Sequence, residues 1–105
     1  MAQLQRQHRA VLKYPLLAGS VTAVPGHPES PIALVAPDPN TGAPAIWIEQ
    51  TVEEFDEVDG PVVKDADYWR SFHVVATGQC PPQGAVHRGS CVCHPFVWHI
   101  YEGNI

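Results

Sequence analysis

The chain has 105 residues, of which 45% are hydrophobic and 16% charged, and its net charge is −5. A chain this apolar is not disordered overall, and its length corresponds to one domain. Its six Lys and Arg residues are scattered, so they do not supply the dense basic face that duplex nucleic acid requires. No apolar run approaches the roughly 20 residues of a membrane span, so we expect a cytoplasmic protein with no membrane partner.

Eleven prolines and eight glycines favour many short strands joined by turns. We predict an all-β, mainly antiparallel fold, built as a small sandwich or partly open barrel of about six strands. Residues 1–10 are polar and rich in Gln, and they predict a flexible N-terminal segment. Residues 11–105 are predicted to form a single β-rich domain.

The first predicted strand covers residues 11–17. Pro15 cannot donate to a ladder, so this strand is expected to lie at a sheet edge or to end there. Residues 37–42 predict a hairpin loop, because proline fixes φ while Asn40 and Gly42 accept positive φ. The last strand is expected to pair with its predecessor across a tight turn near Pro95. The remaining predicted strands cover residues 21–24, 31–36, 45–52, 72–77, 89–94 and 96–102.

Seven of the eleven acidic residues lie between Glu53 and Asp67. They predict an acidic loop over residues 53–67, which is either a solvated loop or an acidic surface that docks on a basic host protein. Thr51 and Glu54 also fit a helical capping box. The sequence therefore allows at most one short helical turn, over residues 52–58, as the alternative to a longer strand.

Cysteine and histidine residues near the C-terminal end could bind zinc. Cys80, Cys91 and Cys93, with His87 or His94, supply enough ligands for a tetrahedral site. In a strand, however, Cys91 and Cys93 share one face and His94 points away. We expect reduced cysteines that pack as small hydrophobes, with no metal and no other cofactor. A zinc-stabilised structural or accessory protein remains the alternative.

The sequence offers no established catalytic motif. Walker, dinucleotide-binding, nucleophile-elbow and H-E-x-x-H patterns do not occur. A Cys–His pair would need a base within hydrogen-bond reach and a third orienting group, which sequence does not fix. We therefore expect a protein that is not an enzyme and has no catalytic residues, and a Cys/His hydrolase is the least favoured alternative.

Aromatic and basic side chains suggest a binding site. Indole rings stack on flat groups and guanidinium groups pair with phosphate or carboxylate, so such residues suit a small anionic ligand. They also anchor protein interfaces, and aromatic residues often pack in the core instead. The predicted ligand-binding residues are Trp47, Trp69, Arg70 and Arg88.

The closing strand over residues 96–102 is apolar on both faces, which indicates that both are covered. Phe96, Trp98 and Ile100 are assigned to the core. The opposite face is predicted to be a subunit interface of a homo-oligomer or a surface next to a ligand, because its polar atoms need partners if buried. Its residues are Val97, His99 and Tyr101.

Four motifs occur together in a familiar order. They are Val11-Leu12-Lys13-Tyr14-Pro15-Leu16, Trp47, Val74-Val75-Ala76-Thr77-Gly78 and Phe96-Val97-Trp98-His99-Ile100-Tyr101-Glu102. With these motifs the chain resembles an uncharacterised family of small proteins from phages and bacterial genomes, over most of residues 11–102. The chain departs from that pattern in a longer acidic insertion before Phe72 and in the Cys-Val-Cys-His run.

The resemblance implies a compact β fold and a phage or prophage origin, and it implies no assigned activity. In that context we expect a non-enzymatic binding protein in the host cytoplasm that counteracts host defence. It would sequester a small, nucleotide-like signal or block a host protein.

Overall fold

Eight β-strands form two antiparallel sheets in the computed structural model, which describes residues 2–103. The strands are β1 (Leu4–Pro15), β2 (Val21–Pro25), β3 (Ile32–Pro37), β4 (Pro44–Phe55), β5 (Val62–Val63), β6 (Trp69–Ala76), β7 (Val86–Cys93) and β8 (Phe96–Glu102). Across this part of the chain there is no helix long and apolar enough to cross a membrane. The all-β prediction is confirmed, although the strands number eight and not about six.

The two sheets face each other as an open sandwich and do not close into a barrel. The first sheet has the order β1-β4-β3, with β5 also paired to β4, and the second has the order β2-β6-β8-β7. The predicted hairpin loop over residues 37–42 joins β3 to β4, with Pro37 opposite Pro44. The last strand pairs with β7 as expected, and Cys93 lies opposite Phe96 across the turn.

The core lies between the sheets, where every second residue of each strand points inward. Its fully buried members are Leu16, Val24, Ile46, Ile48, Phe72, Val74 and Ile100. Trp98 packs against this cluster, as its assignment to the core face predicted. Phe96 was assigned to the same face but is 54% exposed, because it lies at the turn end of β8, away from the cluster.

Residues 4–10, which are predicted to belong to a flexible N-terminal segment, form the first part of β1. Met1 lies outside the described residues, but β1 begins at Leu4 and pairs with β4 as far as Phe55. Backbone hydrogen bonds to β4 hold this half of the strand, and they do not depend on side-chain polarity. An ion pair between Arg6 Nε and Glu54 Oε2, 3.1 Å apart, joins the two strands there.

The acidic stretch also contains more strand than predicted. β4 continues through Phe55, so the residues that fit a capping box form strand and not a helical turn. β5 then returns to pair with β4, with Val63 opposite Val52. Since β4 has a partner strand on each side here, its backbone groups are satisfied by extended pairing. The loops of the predicted 53–67 segment are therefore limited to residues 56–61 and 64–67.

A buried amide links the two sheets. Gln50 of β4 is 1% exposed, accepts a 2.6 Å hydrogen bond from the Tyr14 hydroxyl and donates a 2.8 Å bond to the Pro25 carbonyl of β2. Burial raises the pKa of Tyr14 above 10.0, although the bond to Gln50 acts in the opposite direction. Gly26 completes the contact, since a Cβ at this position would collide with the Gln50 amide.

Candidate anion-binding groove

A buried ion pair closes one end of the sandwich. Arg70 of β6 points inward because it has the same strand parity as Phe72, and Glu102 points inward from the neighbouring strand β8. Arg70 Nε lies 2.9 Å from Glu102 Oε2, and Arg70 Nη2 lies 2.9 Å from Glu102 Oε1. The remaining Nη1 donates a 2.8 Å bond to the Ser30 carbonyl. This two-bond geometry fixes the guanidinium in one orientation.

A second arginine shares the same carboxylate. Arg88 lies at a β-bulge of β7, and its Nε donates a 2.9 Å hydrogen bond to Glu102 Oε1. The bulge is followed by Gly89, where β7 approaches β3 so closely that a Cβ would lie 2.9 Å from Val35. Glycine is the residue that permits such an approach.

Two guanidinium groups on one carboxylate leave one positive charge uncompensated within this cluster. Burial alone would raise the pKa of Glu102, but the hydrogen bonds and charges of Arg70 and then Arg88 outweigh it and hold the pKa below its ordinary value of 4.5. Glu102 is therefore ionised at neutral pH. The cluster of Arg70, Arg88 and Glu102 carries a net charge of +1.

A groove of about 510 Å³ opens over this cluster, and we call it the Arg88 groove. Its walls are residues 28–32 together with Arg70, His87 and Arg88. The Arg88 side chain is 36% exposed, and among the described residues only its Nε has a hydrogen-bond partner. Its two terminal nitrogens are therefore available to a ligand. Glu29, an exposed residue of the lining, is the acidic group that opposes an anion here.

The chain matches one family model, described as a domain of unknown function (DUF7352), over residues 7–105. The chain belongs to this family. The match is consistent with membership of an uncharacterised family, and the phage origin that the motifs implied remains a prediction. No curated protein and no solved structure matches the chain at a significant level.

The DUF7352 chain brings together only two of the four predicted ligand-binding residues. Arg70 and Arg88 meet at Glu102, but Trp69 precedes Arg70 in β6, points to the opposite face of its sheet and is 63% exposed. Trp47 lies on the outer face of the other sheet, opposite Lys13 and Leu34. The two indole rings therefore lie on opposite outer surfaces of the sandwich, and neither lines the Arg88 groove.

The three predicted interface residues point outward from β8, since Ile100 between them is buried. His99 there has both ring nitrogens engaged, one with Thr77 Oγ1 at 2.8 Å and the other with Ser90 Oγ at 2.7 Å. His87 Nε2 also lies 3.0 Å from Ser90 Oγ, and its ring lies 5.1 Å from that of Tyr101. Hydrogen bonds thus join the polar groups of this face across β7 and β8.

The cysteines considered for zinc divide into a pair and a separate residue. Cys91 and Cys93 share the inner face of β7, with their sulfur atoms 3.7 Å apart, whereas Cys80 is exposed. Burial, followed by the hydrogen bond and charge of Cys93, raises the pKa of Cys91 to about 12. Within residues 2–103, no group of three or more His, Cys, Asp or Glu side chains is arranged to hold a metal ion.

Sequence reasoning did not find two of the groove's essential groups. Glu102 ends the closing-strand motif, but nothing in its local pattern shows that its carboxylate meets two arginines from other strands. The Ser30 carbonyl is a backbone group, so no side-chain pattern could indicate it. One sequence feature does indicate a buried partner. Arg70 is two residues before Phe72 and therefore lies on the same, core-facing side of the strand, where a cation requires a partner of opposite charge.

A smaller cavity of about 230 Å³ lies against the same 28–32 segment and shares Glu29, Ser30 and Pro31 with the Arg88 groove. Its walls include Lys64 and also Asp65, so the charges are of both signs. Two cations, Arg9 and Lys64, and two anions, Glu29 and Asp65, thus line this cavity, whereas the charged residues that line the Arg88 groove are Arg70, Arg88 and Glu29.

Proposed function

We propose that the protein is a non-enzymatic binding protein that holds a small anionic ligand in the Arg88 groove. The observation that supports this most strongly is the sharing of the Glu102 carboxylate by Arg70 and Arg88. A carboxylate can neutralise one guanidinium group, so the second retains its attraction for an anion. A phosphate or carboxylate group would pair with the +1 charge of this cluster through hydrogen bonds to the terminal nitrogens of Arg88, against the opposing charge of Glu29.

Arg70 and Arg88 have different roles in this proposal. Arg70 is 3% exposed and has its donors committed to Glu102 and Ser30, so it positions the carboxylate and does not grip the ligand. Its guanidinium carbon also lies 5.3 Å above the Phe72 ring, which restricts it further. Arg88 is the direct contact. Because Glu102 holds the Arg88 guanidinium in place, Arg88 loses less side-chain conformational entropy when a ligand binds.

The size of the groove is compatible with a small metabolite. Ligand sites usually enclose about 300–1,000 Å³, and about 510 Å³ falls in that range. None of the described lining residues is Trp, Tyr or Phe, and the imidazole of His87 packs against Tyr101 on the outer face of the sheet. The argument is therefore stronger for the anionic group of a nucleotide-like ligand than for its base.

The biological role follows as part of the same proposal. Binding without chemistry sequesters the ligand, which is how a phage protein in the host cytoplasm could counteract a signal used in defence. The acidic residues that follow β4 offer a different route, in which the protein blocks a basic host protein. The zinc alternative has one supporting observation, the proximity of Cys91 and Cys93.

Native mass spectrometry of protein purified from cells tests these proposals together. We expect a bound small molecule that is retained by wild type and by Arg6→Met, a control that removes an exposed cation paired with Glu54. Arg88→Met should be purified without it. A bound mass that persists in folded Arg88→Met would contradict the groove, and one zinc ion per chain would favour the structural alternative.

A further inference from the structure

The outer face of the second sheet differs in composition from the rest of the surface. The outward positions of β2, β6, β7 and β8 hold Val, Ala, Pro, Ser, His, Tyr and Trp side chains, and within these four strands none of them is Asp, Glu, Lys or Arg. Arg88, at the bulge of β7, is not counted among these outward positions, because its side chain pairs with the inward Glu102. The exposed large apolar members are Val21, Trp69, Val92 and Val97.

The outer face of the first sheet provides the comparison. Its outward positions include Arg9, Lys13 and Glu49, and an ion pair of 3.4 Å joins Arg9 Nε to Glu49 Oε1. Both faces belong to antiparallel sheets of similar size, so the contrast does not arise from strand composition in general. A face without charge in a chain of net charge −5 has the depletion of charged residues typical of interface centres.

We propose that this uncharged face binds the same face of a second copy of the chain. A two-fold interface requires a surface that is complementary to itself. Two uncharged faces meet without like-charge repulsion, whereas an oppositely charged partner would find no charge to pair with. Both ring nitrogens of His99 on this face already have partners in Thr77 and Ser90, whereas the buried Nε2 of His73 on the same face has none.

The size of the face is of the order that a dimer needs. Four strands spaced about 4.8 Å apart, with seven or so residues of about 3.3 Å each, give a flat area of roughly 400–500 Å². Two such faces give roughly 800–1,000 Å² in total, which is near the lower limit for a specific interface. Sheets packed in this way lie about 10 Å apart, so the dimer would be a four-layer stack.

Sedimentation equilibrium of the full chain, with a matched set of valine variants, tests this interface. We expect wild type at twice the chain mass of 11.5 kDa. Val97→Lys and Val92→Lys each place a charge on the uncharged face and should sediment as monomers. Val11→Lys is the control, because Val11 is an outward strand valine of the charged face and is 52% exposed.

The outcomes separate clearly, provided that circular dichroism shows each variant folded. Two independent positions on the face keep the test valid if one variant does not fold. A monomeric wild type would overturn the proposal, including the case in which the face binds a different protein. A dimer that persists in both Val97→Lys and Val92→Lys would also overturn it, as would a dimer lost in Val11→Lys alone.

Discussion

Arg70 and Glu102 are held together by two parallel hydrogen bonds of 2.9 Å at the end of the sandwich core, where their side chains are only 2% and 13% exposed. Removing one partner from such a pair is costly, because the other charge remains buried without compensation. The pair therefore stabilises the fold, and in the proposed site it also positions the carboxylate that holds Arg88.

Glu102→Gln should lower the free energy of unfolding by on the order of 3 kcal/mol, because it leaves both guanidinium groups without a counter-charge. Urea denaturation measures this change. The exposed pair of Arg6 and Glu54 is the control, and Glu54→Gln should cost less than about 1 kcal/mol. Equal losses in the two variants would mean that the buried pair has no special energetic role.

Acid should weaken the protein through Glu102. Its pKa in the folded chain is below the ordinary value of 4.5, so ionised Glu102 stabilises the fold above that value. This contribution is lost as pH falls through the lower, folded-state pKa. The stability difference between wild type and Glu102→Gln should therefore be largest near neutral pH and shrink below pH 4.5. A difference that stays constant down to the lowest pH at which both fold would contradict the assignment.

Gly26 should be far less tolerant of substitution than Gly19. Both have positive φ, at +129° and +72°, but a Cβ at Gly26 collides with the Gln50 amide, while one at Gly19 meets no atom within 4 Å. Gly26→Ala should therefore cost about 1–3 kcal/mol more than Gly19→Ala in urea denaturation, from forced displacement of a buried side chain. Matching losses would show that Gln50 moves aside freely.

The cysteines should differ in reactivity toward a thiol reagent such as Ellman's reagent. Cys80 is exposed and should react first, while Cys91 is buried, has its pKa raised to about 12 and should react last. Cys80→Ser should therefore remove the fast phase of the native protein and leave the slow phase unchanged. A fast phase that survives this substitution would show that the β7 pair opens readily.

Much of the fold was readable from period-two hydrophobicity and from turn residues. The sequence predicts that Trp98 and Ile100 share the core face of the closing strand, and Ile100 is a member of the core cluster while Trp98 packs against it. β1 was missed from Leu4 to Ala10 because both faces there are polar or exposed, so only backbone pairing with β4 defines the strand.

The candidate site was readable only in part. Arg70 and Arg88 were selected for their chemistry, and they do meet at one carboxylate. Trp47 and Trp69 were also predicted for their chemistry, but they lie on opposite outer faces of the sandwich. They belong to different sheets, and each is at an outward position of its strand. Glu102 is 32 residues from Arg70 along the chain, and their contact depends on the pairing of β6 with β8.

Charge at the groove should control affinity in both directions. Glu29→Gln removes the acidic group that opposes an anion and should strengthen binding, whereas Arg88→Met should weaken it by about 10- to 100-fold. Titration calorimetry with the ligand recovered from purified protein measures both changes. If Glu29→Gln weakened binding, the carboxylate would be a ligand contact and the anion assignment would fail.

The most direct test of the groove is calorimetric titration of wild type, Arg88→Met and Arg6→Met with a series of small phosphates and carboxylates. We expect at least one anion to bind wild type and Arg6→Met equally, at one per chain, and to bind folded Arg88→Met at least about tenfold more weakly. Binding that is unchanged in Arg88→Met, or reduced to the same extent in Arg6→Met, would contradict an anion site at Arg88.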